Sequence, residues 1–421
     1  MIYLGLGSNL GDRRQNLQQA IELLAVKGFT AKRCSPIVES PAWLTPEADP
    51  KWNKPYLNLV LEGQSETTPQ ALLKLIKEIE QQLGRNLNNP RWSPRPIDID
   101  ILVWEDLTLN TENLTIPHMA ATQRPFVITP LVHLNPGLLI ANKTVYQHSL
   151  KLRPIPLWMG IVNVTPDSFS DGGASDDEQA LEKKLNNWLD EGIHVLDVGA
   201  ESTRPNAQAL TPDEEWQRLQ PALTLIQKLI KPLHFKPIIS IDTRHAEVAD
   251  KALGYGLDWL NDVTGLNDKN LQKLTKQEGI QAVAMHSLSV PVIPSDVLDP
   301  KQDSVEQVAQ WLEQKRLQWL AAGLDLGRII FDPGIGFGKT SLQNQALLKS
   351  CAALRSLGFR LMMGHSRKSF MNELTKTAYG NRDIETLGVS MALCQQGVDV
   401  IRVHEPISHM RAYRAWTHIQ N

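Results

Sequence analysis

The segment Asp98-Ile99-Asp100 carries the side chains most capable of chemistry in this chain. In an extended strand, successive side chains alternate between faces, so Asp98 and Asp100 point to the same side. Neighbouring carboxylates repel each other, and a shared Mg²⁺ relieves that repulsion because it prefers oxygen ligands. Arg91 and Arg95 precede the pair and add positive charge suited to phosphate groups. The spacing predicts a nucleotide and metal site that is not a P-loop; the alternative is a strand with a solvated acidic edge.

Length and composition limit the classes of protein that fit. A chain of 421 residues exceeds one ordinary core and predicts two or three domains. Hydrophobic content of 42% and a net charge of −3 indicate a globular protein without a basic surface for nucleic acid. The N-terminal residues lack the pattern of a signal peptide, and no apolar run is long enough to span a bilayer. Three scattered cysteines without metal-ligand spacing indicate reduced thiols, so we expect a cytoplasmic protein without a membrane partner.

Residues 1–140 mix short strands and helices without a regular order, which is typical of an α+β domain. Apolar runs predict strands, and helical spacing of apolar residues predicts helices. The predicted strands are Tyr3–Gly7, Tyr56–Leu61 and Ile97–Trp104, and the predicted helices are Asp12–Val26 and Thr68–Leu83.

From about residue 155, strands and helices alternate strictly. The predicted strands are Leu157–Val164, His194–Val198, Pro237–Ile241, Asp258–Val263, Gln281–Met285, Arg328–Phe331, Arg360–Met363 and Asp399–Val403. The predicted helices are Asp177–Glu191, Pro212–Lys231, His245–Tyr255, Asp268–Gln277, Ser304–Ala322, Leu342–Leu357, Ile384–Gln396 and Ile407–Ile419. Eight repeats in about 265 residues predict a (β/α)₈ barrel, with an open doubly wound sheet as the alternative. Prolines 154 and 156 suit a short stiff connector between the parts.

Every predicted barrel strand ends in polar residues, where a barrel enzyme carries its active site. The acceptors and amides at these ends, which suit a flat heterocycle with a guanidine-like edge, are Asp242, Asn261 and Asp332. The cations, which suit phosphates, are Lys368, Arg204, Arg402 and His404. These side chains predict a substrate that combines a polar heterocycle with a diphosphate.

The glycine-rich segment 334–340 is similar to a phosphate loop but has Pro333 where a P-loop needs glycine. We interpret it as a flexible loop after the sixth barrel strand, with Phe337 available to cover a ligand.

Two sets of motifs resemble known families. The segments 159–173, 201–205, 261–265, 331–334 and 366–369 match, in order, the motifs of dihydropteroate synthase. The segments 7–12, 56–58, 91–100 and 116–118, with Arg124 and Phe126, resemble those of hydroxymethyldihydropterin pyrophosphokinase. These families catalyse consecutive steps of folate synthesis. The resemblance implies an α+β ferredoxin-like N-terminal domain over 1–145, a linker over 146–156 and a TIM (β/α)₈ barrel over 157–421.

In the kinase half, the resemblance implies that Asp98 and Asp100 hold two Mg²⁺ ions between ATP and the hydroxymethyldihydropterin. It implies contacts with the ATP phosphates for Arg85, Arg95, His118 and Arg124. It implies that Phe126 stacks on the pterin opposite Tyr56 and that Asn58 bonds the pterin edge. Arg91 and Trp92 are further substrate-binding candidates.

In the synthase half, the resemblance implies that the pterin is bound by Asp242, Asn261, Asp332 and Lys368, with Met285 also in the site. It implies that Asn163 ligates one Mg²⁺ on the diphosphate, which is held by Thr203, Arg204, Arg402 and His404. The residues expected to border the p-aminobenzoate pocket, the site of sulfonamide competition, are Ser366, Phe337 and Pro205.

A homodimer through barrel helices is the oligomer that the resemblance implies. Two alternatives to a bifunctional enzyme remain at this point. One half could be inactive, or the barrel could be a pterin-binding, methyl-transferring one; the cluster of diphosphate-binding cations argues against the latter.

Overall fold

A computed structural model of the chain describes residues 1–44, 47–86, 88–90, 92–164, 176–201, 209–277, 279–376 and 382–420. The chain forms two compact units: Met1–Ile155 together with Arg414–Asn421, and Pro156–Tyr413. Most of the connector expected over 146–156 therefore lies in the first unit. Val145, just before it, is buried in the core of that unit, and Tyr146 and Leu152 pack against this core.

The first unit is an α+β domain. Its strands are β1 (Ile2–Ser8), β2 (Phe29–Cys34), β3 (Val38–Ser40), β4 (Tyr56–Ser65), β5 (Asp98–Trp104), β6 (Leu109–Asn110), β7 (Thr115–Ile116), β8 (Leu139–Ile140) and β9 (Lys143–Thr144). Its helices are α1 (Arg13–Val26), α2 (Pro69–Gln82), α3 (Pro125–Leu134) and α4 (Val145–Ser149). The main sheet has the order β2-β4-β1-β5, with β3 paired to β4. The chain order β1-α1-β2-β4-α2-β5 in this antiparallel sheet is the ferredoxin-like arrangement that was predicted.

The two predicted helices of this unit begin at residues suited to helix starts. The Asp12 carboxylate accepts a hydrogen bond from the backbone N–H of Gln15 at the start of α1. The Thr68 hydroxyl accepts one from Ala71 at the start of α2, and Pro69 occupies the first turn. Helix α2 buries Leu72, Ile76 and Ile79, which is the apolar face that their spacing predicts.

Helix α3 was not predicted from the sequence. The segment Pro125–Leu134 is apolar on nearly every side and includes Pro130, so it lacks the amphipathic period that marks a surface helix. Its residues Val127, Ile128 and Leu131 are buried in one core with Tyr3 of β1 and Val60 of β4.

In the described part of the second unit, eight parallel strands close into a barrel, as predicted. They are β10 (Leu157–Asn163), β11 (Val195–Gly199), β12 (Ile238–Asp242), β13 (Trp259–Asp262), β14 (Gln281–Met285), β15 (Ile329–Asp332), β16 (Arg360–Met363) and β17 (Val400–Val403). The helices are α5 (Asp176–Glu191), α6 (Pro212–Ile230), α7 (Ala246–Ala252), α8 (Lys269–Leu274), α9 (Ser304–Ala321), α10 (Ser341–Lys349), α11 (Cys351–Ser356), α12 (Met371–Thr375), α13 (Asp383–Gln396) and α14 (Pro406–Gln420).

One predicted barrel helix is divided. The sequence predicts a single helix over Leu342–Leu357, but the structure breaks it at Ser350, whose ψ of 21° is not helical. The N–H of Cys351 donates to the side chain of Gln396 on α13 instead of continuing the helix. Among the described helices of both units, none has the length and apolar character needed to cross a membrane.

Candidate active sites

A cavity of about 290 Å³ in the first unit collects every predicted kinase residue that the structure describes. The residues that line it are Tyr56, Asn58, Arg85, Trp92, Arg95, Asp98, Asp100, His118, Arg124 and Phe126. Arg91 lies outside the described residues. Asp98 is opposite Gly7 and Asp100 is opposite Gly5 in the β1–β5 ladder. Opposed residues share a face, so both glycines border the cavity beside the carboxylates; a Cβ atom at Gly5 would lie 3.2 Å from Leu102, and one at Gly7 would lie 3.2 Å from Asn58.

The two aspartates have different electrostatic surroundings. Asp98 Oδ1 lies 2.5 Å from Arg85 Nη1 and 3.4 Å from Arg95 Nη1. Burial alone would raise the pKa of Asp98, but the charges of Arg85 and Arg95 outweigh it and lower that pKa. Burial, together with the charge of Asp98, raises the pKa of Asp100 to about 7, although Arg124 opposes the rise. Asp100 Oδ2 is 3.8 Å from Arg124 Nη1, which is too long for a hydrogen bond.

Glu80, whose role was not predicted from the sequence, supports this site from α2. Its side chain is fully buried on α2 and receives hydrogen bonds from Arg85, from the backbone N–H of Ile99 and from Lys77, at 2.5, 2.9 and 2.8 Å. One oxygen, Oε1, accepts from both Arg85 and Ile99, so Glu80 orients the guanidinium that contacts Asp98. A buried acid beside Ile79 gives no distinctive signal in the sequence.

Other contacts fix the walls of the cavity. Asn9, directly after β1, is buried, and its side-chain oxygen accepts a hydrogen bond from the backbone N–H of Arg95 at 2.8 Å. Asn58 donates to Ser40 on β3 at 3.0 Å. Phe126 meets the edge of Trp43, with ring centroids 6.2 Å apart. Trp43 lines the same cavity and was not predicted.

Among the described residues, no cluster of three or more His, Cys, Asp and Glu side chains could hold a metal alone. The side chains of Asp98 and Asp100 are 30% and 35% exposed, so both can be reached from the cavity. Two oxygen donors fit Mg²⁺ that completes its coordination with phosphate oxygens and water.

In the second unit, Asp197 on β11 is the centre of a buried polar network. Its carboxylate accepts hydrogen bonds from Arg402 Nε at 2.6 Å, Ser240 Oγ at 2.6 Å and Asn261 Nδ2 at 3.1 Å. The same Arg402 donates to Asp242 at 2.7 Å. Asp197 thereby fixes two predicted site residues on β13 and β17. No role for Asp197 was predicted, because its partners on β12, β13 and β17 are brought to it only by folding.

Asp242 ends β12 and Asp332 ends β15, and Lys368 interacts electrostatically with both. Burial raises the pKa of Asp242 to about 7, and Asp197 adds to the rise, while Arg402 opposes it. Burial also raises the pKa of Asp332, although a bond from the N–H of Gly334 stabilises its charged form. Burial lowers the pKa of Lys368 to about 8, against the stabilising charge of Asp332. Lys368 Nζ donates to the carbonyl of Ile335.

Ser366 and His404 join the ends of β16 and β17, with 2.8 Å between Ser366 Oγ and His404 Nδ1. Arg367, between Ser366 and Lys368 in the sequence, has a positive φ of 58°, which is an unfavourable backbone conformation for a residue other than glycine. Two bonds to Asp383, at 2.6 and 3.0 Å, hold Arg367 there. This fixed turn sets the directions of Ser366 and Lys368.

Glu201, which begins one of the synthase motifs, accepts two hydrogen bonds from Arg244, at 2.7 and 2.9 Å. Thr243 and His245, which flank Arg244 in the sequence, both contact the buried Glu215 of α6. These acids hold the segment that follows Asp242.

The remaining predicted synthase residues lie outside the hydrogen-bond network around Asp197. Asn163 is exposed at the end of β10, and Met285 is buried at the end of β14 in register with Asp332. Phe337 lies beneath Lys368, whose Nζ is 4.6 Å from the ring centroid. Thr203, Arg204 and Pro205 lie outside the described residues.

Each of the two units matches a known protein family. Residues 159–404 match the model of a pterin binding enzyme family. Residues 3–136 match that of 7,8-dihydro-6-hydroxymethylpterin-pyrophosphokinase. A folate synthesis bifunctional protein from Chlamydia caviae is 35% identical, over 98% of this chain and 97% of the relative.

The chain belongs to the family of folate synthesis bifunctional proteins. It joins a hydroxymethyldihydropterin pyrophosphokinase to a dihydropteroate synthase, and both activities are transferases of folate synthesis.

Solved structures agree with this assignment. Xanthomonas albilineans dihydropteroate synthase with 4-aminobenzoic acid is 32% identical with a TM-score of 0.55, covering 63% of this chain and 93% of that chain. A Plasmodium falciparum HPPK-DHPS variant with pteroate covers 100% of this chain and 95% of its own, with a TM-score of 0.56; at 21% identity it supports the fold alone. Both enzyme families use Mg²⁺.

Proposed function

We propose that the cavity of the first unit transfers a diphosphate group from ATP to hydroxymethyldihydropterin. The hydroxyl oxygen bonds to the β-phosphorus and loses its proton to solvent, the bond from that phosphorus to the oxygen that bridges it to the α-phosphorus breaks, and AMP leaves with that oxygen. The observation that carries this proposal is the pair Asp98 and Asp100 in one cavity with the four basic side chains expected to contact phosphate, Arg85, Arg95, His118 and Arg124.

Different residues of this cavity would bind the metal ions, the phosphates and the pterin. Asp98 and Asp100 would hold two Mg²⁺ ions, which supply charge neutralisation at the phosphate oxygens when bound. Arg85 is already oriented by Glu80 and would bind a phosphate with little reorganisation. The four basic side chains would bind the triphosphate. Phe126 would stack on the pterin, Asn58 would bond its edge, and Tyr56, Trp92 and Arg91 would complete the substrate contacts.

We propose that the barrel then condenses the pterin diphosphate with p-aminobenzoate. The C–O bond to the diphosphate breaks, the amine nitrogen bonds to that carbon, and the amine proton is released. Asp242, Asn261, Asp332 and Lys368, with Met285, would bind the pterin. The departing diphosphate would be held by Thr203, Arg204, Arg402 and His404.

The p-aminobenzoate would lie against Phe337, Ser366 and Pro205. Asn163 offers one amide oxygen and suits a single Mg²⁺ held mainly by the diphosphate. The close group of Asp242, Asn261 and Arg402 around Asp197 supports this assignment.

The direct test is an assay of the purified chain with ATP, Mg²⁺, hydroxymethyldihydropterin and p-aminobenzoate. Formation of both AMP and dihydropteroate is expected. AMP without dihydropteroate would leave only the first half active, and dihydropteroate formed only from supplied pterin diphosphate would leave only the second.

We also propose a homodimer formed through barrel helices, in the cytoplasm. Exposed apolar side chains at Leu317 and Leu320 of α9 and at Leu342 of α10 support the dimer. Light scattering on the purified chain would give about 94 kDa for a dimer, twice the chain mass of 47.2 kDa, and 47.2 kDa would contradict it.

A further inference from the structure

Lys339 lies near the end of the glycine-rich loop 334–340, which follows β15, and the residue is only 8% exposed. Its ammonium nitrogen lies 2.9 Å from His286 Nδ1 and 2.8 Å from the carbonyl oxygen of Phe337. Most lysines are exposed, so a buried one with two defined acceptors has a specific structural task. No role for this residue follows from the reaction chemistry described above.

The protonation states suit a bond from Lys339 to His286. Burial lowers the pKa of His286 to about 3, and the charge of Lys339 adds to this effect. The imidazole is therefore neutral and can accept through Nδ1. Burial lowers the pKa of Lys339 to about 7, yet an amine donates hydrogen bonds in either protonation state.

The loop lies unusually close to its neighbours. A Cβ atom at Gly334 would be 1.9 Å from the carbonyl oxygen of His286, and one at Gly336 would be 2.8 Å from Lys368 Cδ. Both glycines have positive φ, so other residues would be strained there as well as obstructed. Asn344 accepts the N–H of Gly336 at 2.7 Å. The expected flexible loop is thus held at several points.

We infer that Lys339 is a positioning residue of the synthase reaction, which ties Phe337 to the end of β14 and so fixes the wall of the aminobenzoate pocket. The carbonyl of Ile335, two residues before Phe337 in the same loop, accepts a hydrogen bond from the ammonium of Lys368. Lys339 acts through Phe337 and Lys368 and touches no substrate itself. This inference rests on the proposed place of Phe337 beside p-aminobenzoate.

The test compares Lys339→Met, which keeps the length of the side chain but removes the amine, with Lys349→Met on the exposed side of α10. Loss of a buried hydrogen bond to this loop is expected to raise the KM for p-aminobenzoate about tenfold or more. The KM for pterin diphosphate should change less. AMP formation by the same chain should remain unchanged, which shows that the first unit is folded, and dihydropteroate formation at saturating p-aminobenzoate shows that the barrel is folded. Lys349→Met should alter neither activity.

Variants of His286, the hydrogen-bond partner of Lys339, provide a second test. His286→Asn keeps an acceptor near the Nδ1 position and should retain most of the aminobenzoate affinity, whereas His286→Leu should match Lys339→Met. The double variant that combines Lys339→Met with His286→Leu should lose no more than either single change. If Lys339→Met does not fold, the two His286 variants carry the same comparison.

Phe337→Leu separates the two ways of failing. If Phe337→Leu leaves the KM for p-aminobenzoate unchanged, the pocket assignment under the proposed function is wrong. If Phe337→Leu raises this KM while Lys339→Met and His286→Leu do not, the pocket assignment stands and the positioning role of Lys339 is overturned.

Discussion

The guanidinium of Arg402 lies 2.6 Å from the carboxylate of Asp197, which is fully buried inside the barrel. Arg402 also contacts Asp242, so one cation links two acids on adjacent strands β11 and β12. The arrangement holds the polar edge of the site in place before any ligand arrives, and such preorganisation lowers the cost of binding.

Asp197→Asn is expected to lower kcat/KM of the synthase for pterin diphosphate by about tenfold to a hundredfold. The change leaves Arg402 with less compensating charge and removes an acceptor from Asn261. Steady-state rates of dihydropteroate formation check this; circular dichroism of the variant is the control for an intact barrel, and AMP formation is the control for an intact first unit. A normal synthase rate would show that Asp242 alone can position Arg402.

Glu80→Gln is expected to reduce kcat/KM of the pyrophosphokinase by about tenfold or more, because the buried carboxylate orients Arg85. Loss of its charged hydrogen bonds should also lower the free energy of unfolding of the first unit by about 1.5–3 kcal/mol. Urea unfolding and AMP formation measure the two effects.

The matched control is Glu78→Gln, because Glu78 lies on the same helix but pairs with Lys27 at the surface. Its expected effect is below about 1 kcal/mol. Equal losses in the two variants would mean that Glu80 has no special part in placing Arg85.

The affinity of the barrel for pterin should depend on pH through Asp242. Burial raises its pKa to about 7, so the carboxyl is mostly neutral at pH 6 and mostly ionised at pH 8. The ionised form accepts two N–H bonds from the pterin edge, and its population rises about tenfold over this range. Pterin binding measured by calorimetry should therefore strengthen by up to about tenfold from pH 6 to pH 8.

Asp242→Asn is the control for this titration, because the amide cannot ionise and any titration of the ligand itself remains. The difference between the two pH profiles belongs to Asp242. Parallel profiles for the two proteins would exclude Asp242 as the titrating group.

Regular parts of the fold followed from the sequence because their signals are local. Gln281–Met285 and Arg360–Met363 are strands with the predicted bounds, since short apolar runs between helices mark buried parallel strands. Helix α3 was missed because its uniformly apolar surface has no period. The break at Ser350 depends on Gln396, which is distant in the sequence.

The same distinction between local signals and contacts distant in the sequence applies to the residues of the candidate sites. Asp98, Asp100 and Asp242 could be found because they are polar side chains at strand ends or in paired spacing. Glu80 and Lys339 could not be assigned, because their roles come from contacts with Ile99 and His286 that exist only after folding.

The central claim is that one chain has two separate sites for successive reactions, and a reciprocal pair of variants tests it most directly. Both reactions are measured in Asp98→Ala and in Lys368→Ala. Asp98→Ala should lower AMP formation by about a thousandfold and leave dihydropteroate formation from supplied pterin diphosphate intact. Lys368→Ala should do the reverse, with a loss of about a hundredfold in the second reaction. Loss of both activities in either folded variant would contradict two independent sites.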